Sequence, residues 1–174
     1  MRVADVGTGS GAIAVALLAA LRRKRMDTEV LVIAVDGSEQ ALELARENAV
    51  GHGVADRVVF VEADLLPHHV DPPYALVCAN LPYVPTRQLP DLEPEIAWEP
   101  RHALDGGPDG LDLVRRLLDR LPDTLAGDGV ALLEIGSDQG QAIVAEVASH
   151  LPGWRCTVTT DLAGLPRLAR VERP

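Results

Sequence analysis

The chain has 174 residues, a length typical of a single domain with a substantial core. Its hydrophobic fraction of 47% is ordinary for a globular protein, but aromatic residues make up only 3%, so the core must be built from aliphatic side chains. The 26 acidic and 16 basic residues give a formal net charge of −10, which disfavours non-specific binding to nucleic acid or to an anionic membrane.

Strand and helix patterns alternate along the chain, which predicts an α/β fold with a mainly parallel sheet and helices on both faces. In the first half, a helix is predicted from residue 12 to about residue 24, and a second helix after Ser38, a good N-cap. The strands predicted in this half lie at residues 2–6, 30–35, 57–62 and 74–79.

The second half begins with a long segment, residues 82–108, that is rich in proline and lacks periodicity, which is typical of a lid or binding loop. Asp109 is expected to cap a helix that ends at Pro122, and Ser137 to cap a helix that runs towards Leu151. The remaining strands are predicted at residues 130–135, 154–160 and 167–171, the last two as a hairpin-like pair.

Neither export nor membrane insertion is indicated. Cys78 and Cys156 are too few for a disulfide framework, and their apolar neighbours predict buried thiols of the kind found in a reducing cytosol. The longest apolar run, residues 12–21, is too short to span a bilayer and follows a glycine turn, so a core helix is predicted there. A cytoplasmic location is therefore expected.

A glycine-rich turn, Asp5-Val-Gly-Thr-Gly-Ser-Gly11, connects the first predicted strand to the first predicted helix. Glycines at such a turn allow a ligand to approach the backbone closely, at the N-terminus of a helix. An isolated glycine turn is weak support for a ligand site, since it also serves to pack a helix on a strand. The candidate cofactor contacts in this turn are Asp5, Gly7, Thr8, Gly9, Ser10 and Gly11.

Acidic residues follow the next two predicted strands at the same edge of the sheet. Asp36 is placed to accept hydrogen bonds from ribose hydroxyls, whereas Asp64 and Leu65 are placed to bind an adenine amino group and cover its ring. Each aspartate taken alone is equally well explained as a helix cap. Together with the glycine turn they favour an adenosine cofactor. NAD is an alternative, but a carboxylate at Asp5 suits the ammonium group of S-adenosylmethionine better than it suits phosphates.

Asn80-Leu81-Pro82-Tyr83 follows the fourth predicted strand directly. The carboxyl ends of such strands border the crevice in which open α/β sheets bind ligands. A planar nitrogen-bearing group would be bound there by hydrogen bonds to Asn80 and by stacking on Tyr83, with Pro82 fixing the turn. The alternative is that Asn80 only forms a turn. Beside a cofactor loop, the segment indicates group transfer to a nitrogen, with Asn80, Pro82 and Tyr83 as catalytic candidates and Asn80 also as a candidate cofactor contact.

Four motifs carry a family resemblance: residues 5–14, Ala34-Val-Asp36, Asn80-Leu-Pro-Tyr83 and Glu99-Pro-x-x-Ala-Leu-x-Gly-Gly-x-Asp-Gly-Leu-Asp112. Together they resemble the HemK-type glutamine methyltransferases, over nearly the whole chain. The resemblance implies a class I, Rossmann-like fold with a seven-stranded, mainly parallel sheet and a reversed final strand. It also implies transfer of a methyl group from S-adenosylmethionine to the glutamine side chain in the GGQ motif of peptide chain release factors, the proteins of translation termination.

The resemblance assigns cofactor contacts to the loop 7–11, Asp36 and the position of Leu65, and contacts with the substrate amide to residues 80–83. Two departures from the family pattern matter. Leu81 replaces the first proline of Asn-Pro-Pro-Tyr, which is expected to keep the backbone carbonyl available while reducing rigidity. Residues 1–174 are expected to form one methyltransferase domain, without the family's N-terminal domain that recognises the release factor.

Other functions are compatible with parts of the sequence. The rRNA adenine N6-dimethyltransferases also carry Asn-Leu-Pro-Tyr, but RNA binding needs a basic surface, whereas this chain has a net charge of −10. Ribosomal-protein glutamine methyltransferases are closer relatives, and a catalytically silent module that binds adenosine or NAD is a further alternative. The expected partner is a protein substrate, with no direct nucleic acid and no membrane. No metal is expected, because His68 and His69 are adjacent and their side chains diverge.

Overall fold

The computed structural model describes residues 1–25, 29–93 and 100–174. Glu99, the first residue of the predicted signature, lies outside the described residues. The strands are β1 (Arg2–Val6), β2 (Leu31–Asp36), β3 (Val58–Glu62), β4 (Tyr74–Ala79), β5 (Leu125–Glu134), β6 (Arg155–Thr160) and β7 (Pro166–Glu172). The α-helices are α1 (Ala12–Arg23), α2 (Glu39–Gly51), α3 (Asp112–Leu118), α4 (Leu121–Thr124) and α5 (Gly140–His150).

The seven strands form one sheet in the order β3-β2-β1-β4-β5-β7-β6. This confirms the predicted α/β class, a Rossmann-like sheet of seven mainly parallel strands. By its internal contacts the chain divides into two compact units. The first unit comprises residues 1–79 and 123–130, and the second comprises residues 80–122 and 131–174.

In the first unit, β1 pairs in parallel with both β2 and β4, and β2 pairs in parallel with β3. The register aligns Val6 with Val35 and with Ala79, and Asp36 with Glu62, so these four strands end at a common edge. Their core is aliphatic, as the scarcity of aromatic residues predicted. Buried members of this core include Val3, Ala14, Val15, Leu18, Val30, Val32 and Ala34.

In the second unit, β6 and β7 form an antiparallel pair in which Arg155 lies opposite Glu172, which confirms the predicted hairpin-like tail. Helix α5 packs against both strands. Its buried residues Ile143 and Val147 are completely or almost completely shielded from solvent.

The predicted helix after Ser38 is confirmed, because the Ser38 hydroxyl caps α2 by accepting a hydrogen bond from Ala41 N at 3.3 Å. The prediction that Ser137 caps the last helix is wrong. The N-cap of α5 lies two residues later, at Gln139, and makes no side-chain capping hydrogen bond. The physical reason is that the Gln139 side chain is used for tertiary hydrogen bonds, described below.

Two further predictions about helix ends are corrected. Asp109 is not the N-cap of α3, which begins at Asp112 after Leu111; the Asp109 carboxylate instead accepts a hydrogen bond from Leu111 N at 3.2 Å. Pro122 does not end that helix. It is the second residue of α4, a first-turn position where the missing N–H of proline costs nothing.

Helix α1 is the predicted core helix, and it buries Ala14, Val15 and Leu18. Across the described part of the chain, no helix combines the length and the apolar character that crossing a membrane requires. The two thiols are free, but only Cys78 is buried, and burial raises its pKa to about 11. Cys156 is half-buried, so its predicted burial is only partly correct.

Candidate active site

The glycine loop between β1 and α1 is hydrogen-bonded to the carboxylate of Asp5, which is 1% exposed. Its Oδ2 atom accepts hydrogen bonds from Thr8 Oγ1 at 2.7 Å and from Ala14 N at 3.1 Å. Thr8 N in turn donates to the Val35 carbonyl at 2.9 Å, which ties the loop to β2. A buried acid and a backbone hydrogen bond to β2 therefore fix the position of the loop.

Asp36, at the end of β2, holds the same loop from the side. Its Oδ2 atom accepts a hydrogen bond from Gly9 N at 2.9 Å, and its Oδ1 atom accepts one from Ser38 N at 2.9 Å. Because Ser38 caps α2, the alternative that Asp36 is merely a helix cap is not realised. Each carboxylate oxygen has two lone pairs, so Asp36 retains acceptor capacity for the predicted ribose hydroxyls.

The loop glycines serve two different purposes. Gly9 has φ +55°, and a Cβ added there would meet nothing within 4 Å, so the surface above the loop is open to a ligand. Gly11 has φ +78°, and a Cβ there would lie 3.1 Å from Ala45 Cβ in α2, which makes this glycine a packing requirement. Gly7 also has a positive φ, whereas Ser10 is exposed and its carbonyl accepts from Asn48 Nδ2 at 2.8 Å.

Leu65 adopts φ +64°, a left-handed conformation that is rare for a residue other than glycine, and it is only 7% exposed. Such a conformation costs about 1–2 kcal/mol and is found preferentially at ligand sites. Asp64, beside it, is exposed. The conformation of Leu65 supports its predicted role beside an adenine ring, which stays a prediction.

The second carboxylate oxygen of Asp5 accepts no hydrogen bond from the described residues. This atom, Oδ1, is buried. Burial raises the pKa of this carboxyl above its ordinary value, and the hydrogen bonds from Thr8 and Ala14 oppose the rise. A buried, unpaired carboxylate oxygen beside an open glycine loop fits an ammonium group, as the sequence predicted for the methionine part of S-adenosylmethionine.

Asp5→Asn is expected to stabilise the protein while weakening cofactor binding. The pKa of Asp5 is higher in the folded protein than in the unfolded chain. Ionisation of Asp5 therefore lowers the stability of the folded protein as the pH rises above 3.8. The variant lacks this loss, so it should be more stable than the wild type near pH 7, with the difference vanishing in acid. Urea unfolding at several pH values measures this. A variant less stable than the wild type at neutral pH would contradict it.

In the second unit, the Asn80–Tyr83 segment combines an exposed asparagine with three residues that are buried or half-buried. Asn80 is exposed, and its carboxamide has no hydrogen-bond partner among the described residues, so the alternative of a turn-forming asparagine is not observed. Leu81 is 4% exposed and anchors the segment, whereas Pro82 and Tyr83 are half-buried. The carboxamide of Asn80 is thus available to a substrate.

The described part of the predicted signature, residues 100–112, is folded around the backbone that follows Tyr83. Val84 N donates to the Leu104 carbonyl at 3.0 Å, and Gly106 N donates to the Val84 carbonyl at 2.9 Å. Thr86 Oγ1 donates to Asp105 Oδ1 at 2.6 Å, and this bond is the main reason why the pKa of Asp105 is lowered. The signature therefore acts as a scaffold for the segment that begins at Asn80.

Two glycines of the signature are required by close approach to that segment. A Cβ at Gly106 would lie 2.6 Å from the Pro82 carbonyl oxygen. A Cβ at Gly110, whose φ is +81°, would overlap the Tyr83 carbonyl oxygen and would lie 2.5 Å from Gln139 Nε2. No side chain larger than hydrogen fits at Gly110 without displacing Tyr83.

Sequence reasoning missed Gln139, which is 4% exposed and contacts the same segment. Its Nε2 atom donates to the Tyr83 carbonyl at 3.0 Å and to the Asp109 carbonyl at 3.2 Å, while its Oε1 atom accepts from Gly136 N at 2.8 Å. The signal available in the sequence was a lone glutamine in a turn between a strand and a helix, and this pattern is not distinctive.

Among the described residues, no group of three or more histidine, cysteine or acidic side chains is arranged to hold a metal ion. His68 and His69 are both exposed.

Comparison with known proteins defines the family. Residues 3–97, more than half of the chain, match the methyltransferase domain. The chain belongs to the methyltransferase domain family. The chain is 45% identical over 166 residues to a release factor glutamine methyltransferase from Moorella thermoacetica, covering 95% of the chain and 56% of that relative. The family resemblance predicted from the motifs is thereby confirmed.

Two further comparisons extend this result. The chain is 41% identical over 151 residues to a ribosomal protein uL3 glutamine methyltransferase from Bradyrhizobium diazoefficiens, covering 87% of the chain and 45% of that relative. A crystal structure of a ribosomal protein L11 methylase from Lactobacillus delbrueckii subsp. bulgaricus shares its fold, with a TM-score of 0.67, 22% identity, and coverage of 99% of this chain and 70% of that chain. The chain spans about half the length of the two sequence relatives.

Proposed function

We propose that this methyltransferase transfers a methyl group from S-adenosylmethionine to the side-chain amide nitrogen of the glutamine in the GGQ motif of a peptide chain release factor. One observation carries the proposal: the Asn80-Leu-Pro-Tyr segment offers an unpaired carboxamide on a backbone that Gly106, Gly110 and Gln139 enclose. The similarity to release factor glutamine methyltransferases supports the substrate. Release factors act in the cytoplasm, where we place the reaction.

The residues of the first unit fit S-adenosylmethionine. The open surface over Gly9 suits a ligand that lies against the backbone, and the unpaired Oδ1 atom of Asp5 suits its ammonium group. Asp36 is the expected ribose acceptor, and Leu65 the expected cover of the adenine ring. The buried charge of Asp5 argues against NAD, because pyrophosphate would bring further negative charge towards this carboxylate.

In the proposed mechanism, the chain mainly positions the acceptor. When bound, S-adenosylmethionine would supply a methyl group already activated by its sulfonium. The new nitrogen–methyl bond would form as the methyl–sulfur bond breaks, S-adenosylhomocysteine would leave, and the methylated nitrogen would then lose one proton to solvent. The Asn80 side-chain oxygen and the Leu81 carbonyl accept the two amide hydrogens of the glutamine, which fixes the nitrogen and favours the positive charge that develops there. Tyr83 stacks on the amide plane. Positioning of this kind is worth several kcal/mol and at most about 7–11 kcal/mol.

Asp36→Ala is expected to weaken binding of S-adenosylmethionine by about 10- to 100-fold, because hydrogen bonds to a charged group contribute roughly 1.5–3 kcal/mol. Calorimetric titration measures the dissociation constant. Glu62→Ala is the matched control, since Glu62 is an exposed acid that pairs with Asp36 in the register of β2 and β3. An unchanged dissociation constant for Asp36→Ala, or an equal loss in both variants, would count against the ribose assignment.

The substrate is tested by incubating the chain with radiolabelled S-adenosylmethionine and candidate acceptors. The remaining part of a longer relative is added as a separate protein in a parallel reaction. We expect label in a release factor and none in a release factor whose GGQ glutamine is replaced by alanine. Faster labelling of ribosomal protein uL3 or of ribosomal RNA would contradict the proposed substrate. Absence of label from every acceptor would contradict methyl transfer itself.

A second candidate function is a silent module that binds an adenosine cofactor without transfer. The cradle around Gly9 and Asp36 is compatible with this function, since it lies entirely in the first unit. Titration with S-adenosylmethionine and with NAD separates the cofactors. Tight binding of NAD together with undetectable binding of S-adenosylmethionine would favour the silent module.

A further inference from the structure

Gln139 is a buried polar side chain that makes hydrogen bonds with three different chain segments. The two hydrogens of Nε2 are directed to the Tyr83 and Asp109 carbonyls, and Oε1 is bonded to Gly136 N. Buried amides are costly unless they are satisfied, so this arrangement selects one position for each partner. The partners are the end of the Asn80–Tyr83 segment, the signature loop and the turn after β5.

We infer that Gln139 is a positioning residue for methyl transfer, which acts by fixing the Tyr83 carbonyl and through it the backbone that carries Asn80 and Leu81. This inference rests on the proposed function. Gln139 itself contacts no reacting atom in that mechanism. Its contribution is geometric, and a displacement of about 1 Å in an acceptor site can cost a hundredfold in rate.

The surroundings of the Tyr83 carbonyl leave it little freedom. Gly110 contacts this carbonyl so closely that a methyl group there would overlap it, and Gln139 Nε2 approaches within 3.0 Å. The next residue, Val84, is held by backbone hydrogen bonds to Leu104 and Gly106. The Tyr83–Val84 backbone is thus held by one side chain, the amide of Gln139, and by backbone groups of the signature.

The oxygen and the nitrogen of the Gln139 amide have different partners, so variants that remove one or both atoms can distinguish a role in the site from a role in the fold. The acceptor Oε1 bonds the turn at Gly136, three residues before Gln139, whereas the donor Nε2 bonds the distant Tyr83 and Asp109 carbonyls. Gln139→Glu keeps an acceptor for Gly136 N and removes both donors when ionised, or one of the two when protonated. Gln139→Met removes both functions but keeps a side chain of similar size without a buried charge.

The test measures turnover and backbone hydrogen exchange in these variants. Gln141→Glu is the matched control, because Gln141 is exposed two residues further along the same segment. For Gln139→Glu and Gln139→Met we expect kcat to fall at least about tenfold with the KM for S-adenosylmethionine within about threefold. We also expect faster exchange at residues 83–86 and 104–111, with unchanged exchange in β6 and β7. The control should match the wild type in every measurement.

Three results would overturn the inference: wild-type kcat in both Gln139 variants, unchanged exchange at residues 83–86, or loss of protection throughout the second unit. The last result would assign Gln139 to the fold as a whole. A wild-type chain that transfers no methyl group contradicts the proposed function instead. In that case the exchange measurement still decides whether Gln139 fixes the Tyr83 carbonyl, because it needs no substrate.

Discussion

Asn80→Ala is expected to reduce methyl transfer by at least about a hundredfold, the effect typical of removing one group that stabilises developing charge. The carboxamide of Asn80 is exposed and has no partner among the described residues, so its loss should leave the fold intact. Affinity for S-adenosylmethionine should stay within a few-fold, because the expected adenosine contacts lie in the first unit. Turnover and calorimetric titration of the same preparation measure both effects.

Asn80→Asp is the informative companion variant. It keeps an oxygen that accepts a hydrogen bond from the glutamine amide and removes the NH₂ group. We therefore expect its turnover to lie between those of the wild type and Asn80→Ala. Near-normal turnover of Asn80→Ala would refute the role of the carboxamide.

Gly110→Ala is expected to be the most damaging change in the signature. Its Cβ would overlap the Tyr83 carbonyl oxygen, and its φ of +81° is unfavourable for alanine. Displacement of Tyr83 should reduce turnover at least about a hundredfold. The loss of stability should be about 3 kcal/mol or more, since backbone strain and overpacking add. Urea unfolding and turnover are the measurements.

Gly164→Ala separates the two causes. Gly164 has the same φ of +81°, but a Cβ there would meet nothing within 4 Å. This variant should lose only the stability that a left-handed backbone costs alanine, about 1–2 kcal/mol, and should retain normal turnover. If the two alanine variants lost stability and turnover equally, the steric role of Gly110 would be wrong.

The strands at residues 2–6 and 74–79 were predictable residue for residue, because a fully buried parallel strand is a short aliphatic run with clear boundaries. Strand β5 begins at Leu125, five residues before its predicted start. The sequence Gly127-Asp128-Gly129 favours a turn by local preference, yet the observed strand runs through it. Pairing between distant segments outweighs local preference in such cases.

The candidate site likewise contains residues that the sequence predicts and contacts that it does not. Asp36 and Asn80 were predictable because they directly follow strands whose positions the hydrophobic pattern fixes. The second role of Asp36, as an acceptor for Gly9 N, was not, since it depends on the fold of a loop 27 residues away. Gln139 was missed for the same reason. Its importance comes from contact with Tyr83, 56 residues earlier, and no local pattern encodes this contact.

A crystal structure with S-adenosylhomocysteine and a Gly-Gly-Gln peptide tests the central claim most directly. The claim predicts that the glutamine side-chain nitrogen donates to the Asn80 side-chain oxygen and to the Leu81 carbonyl, and that it faces the sulfur of the bound cofactor product. A complex in which Asn80 points away from the peptide glutamine, or in which the glutamine binds elsewhere, would contradict it.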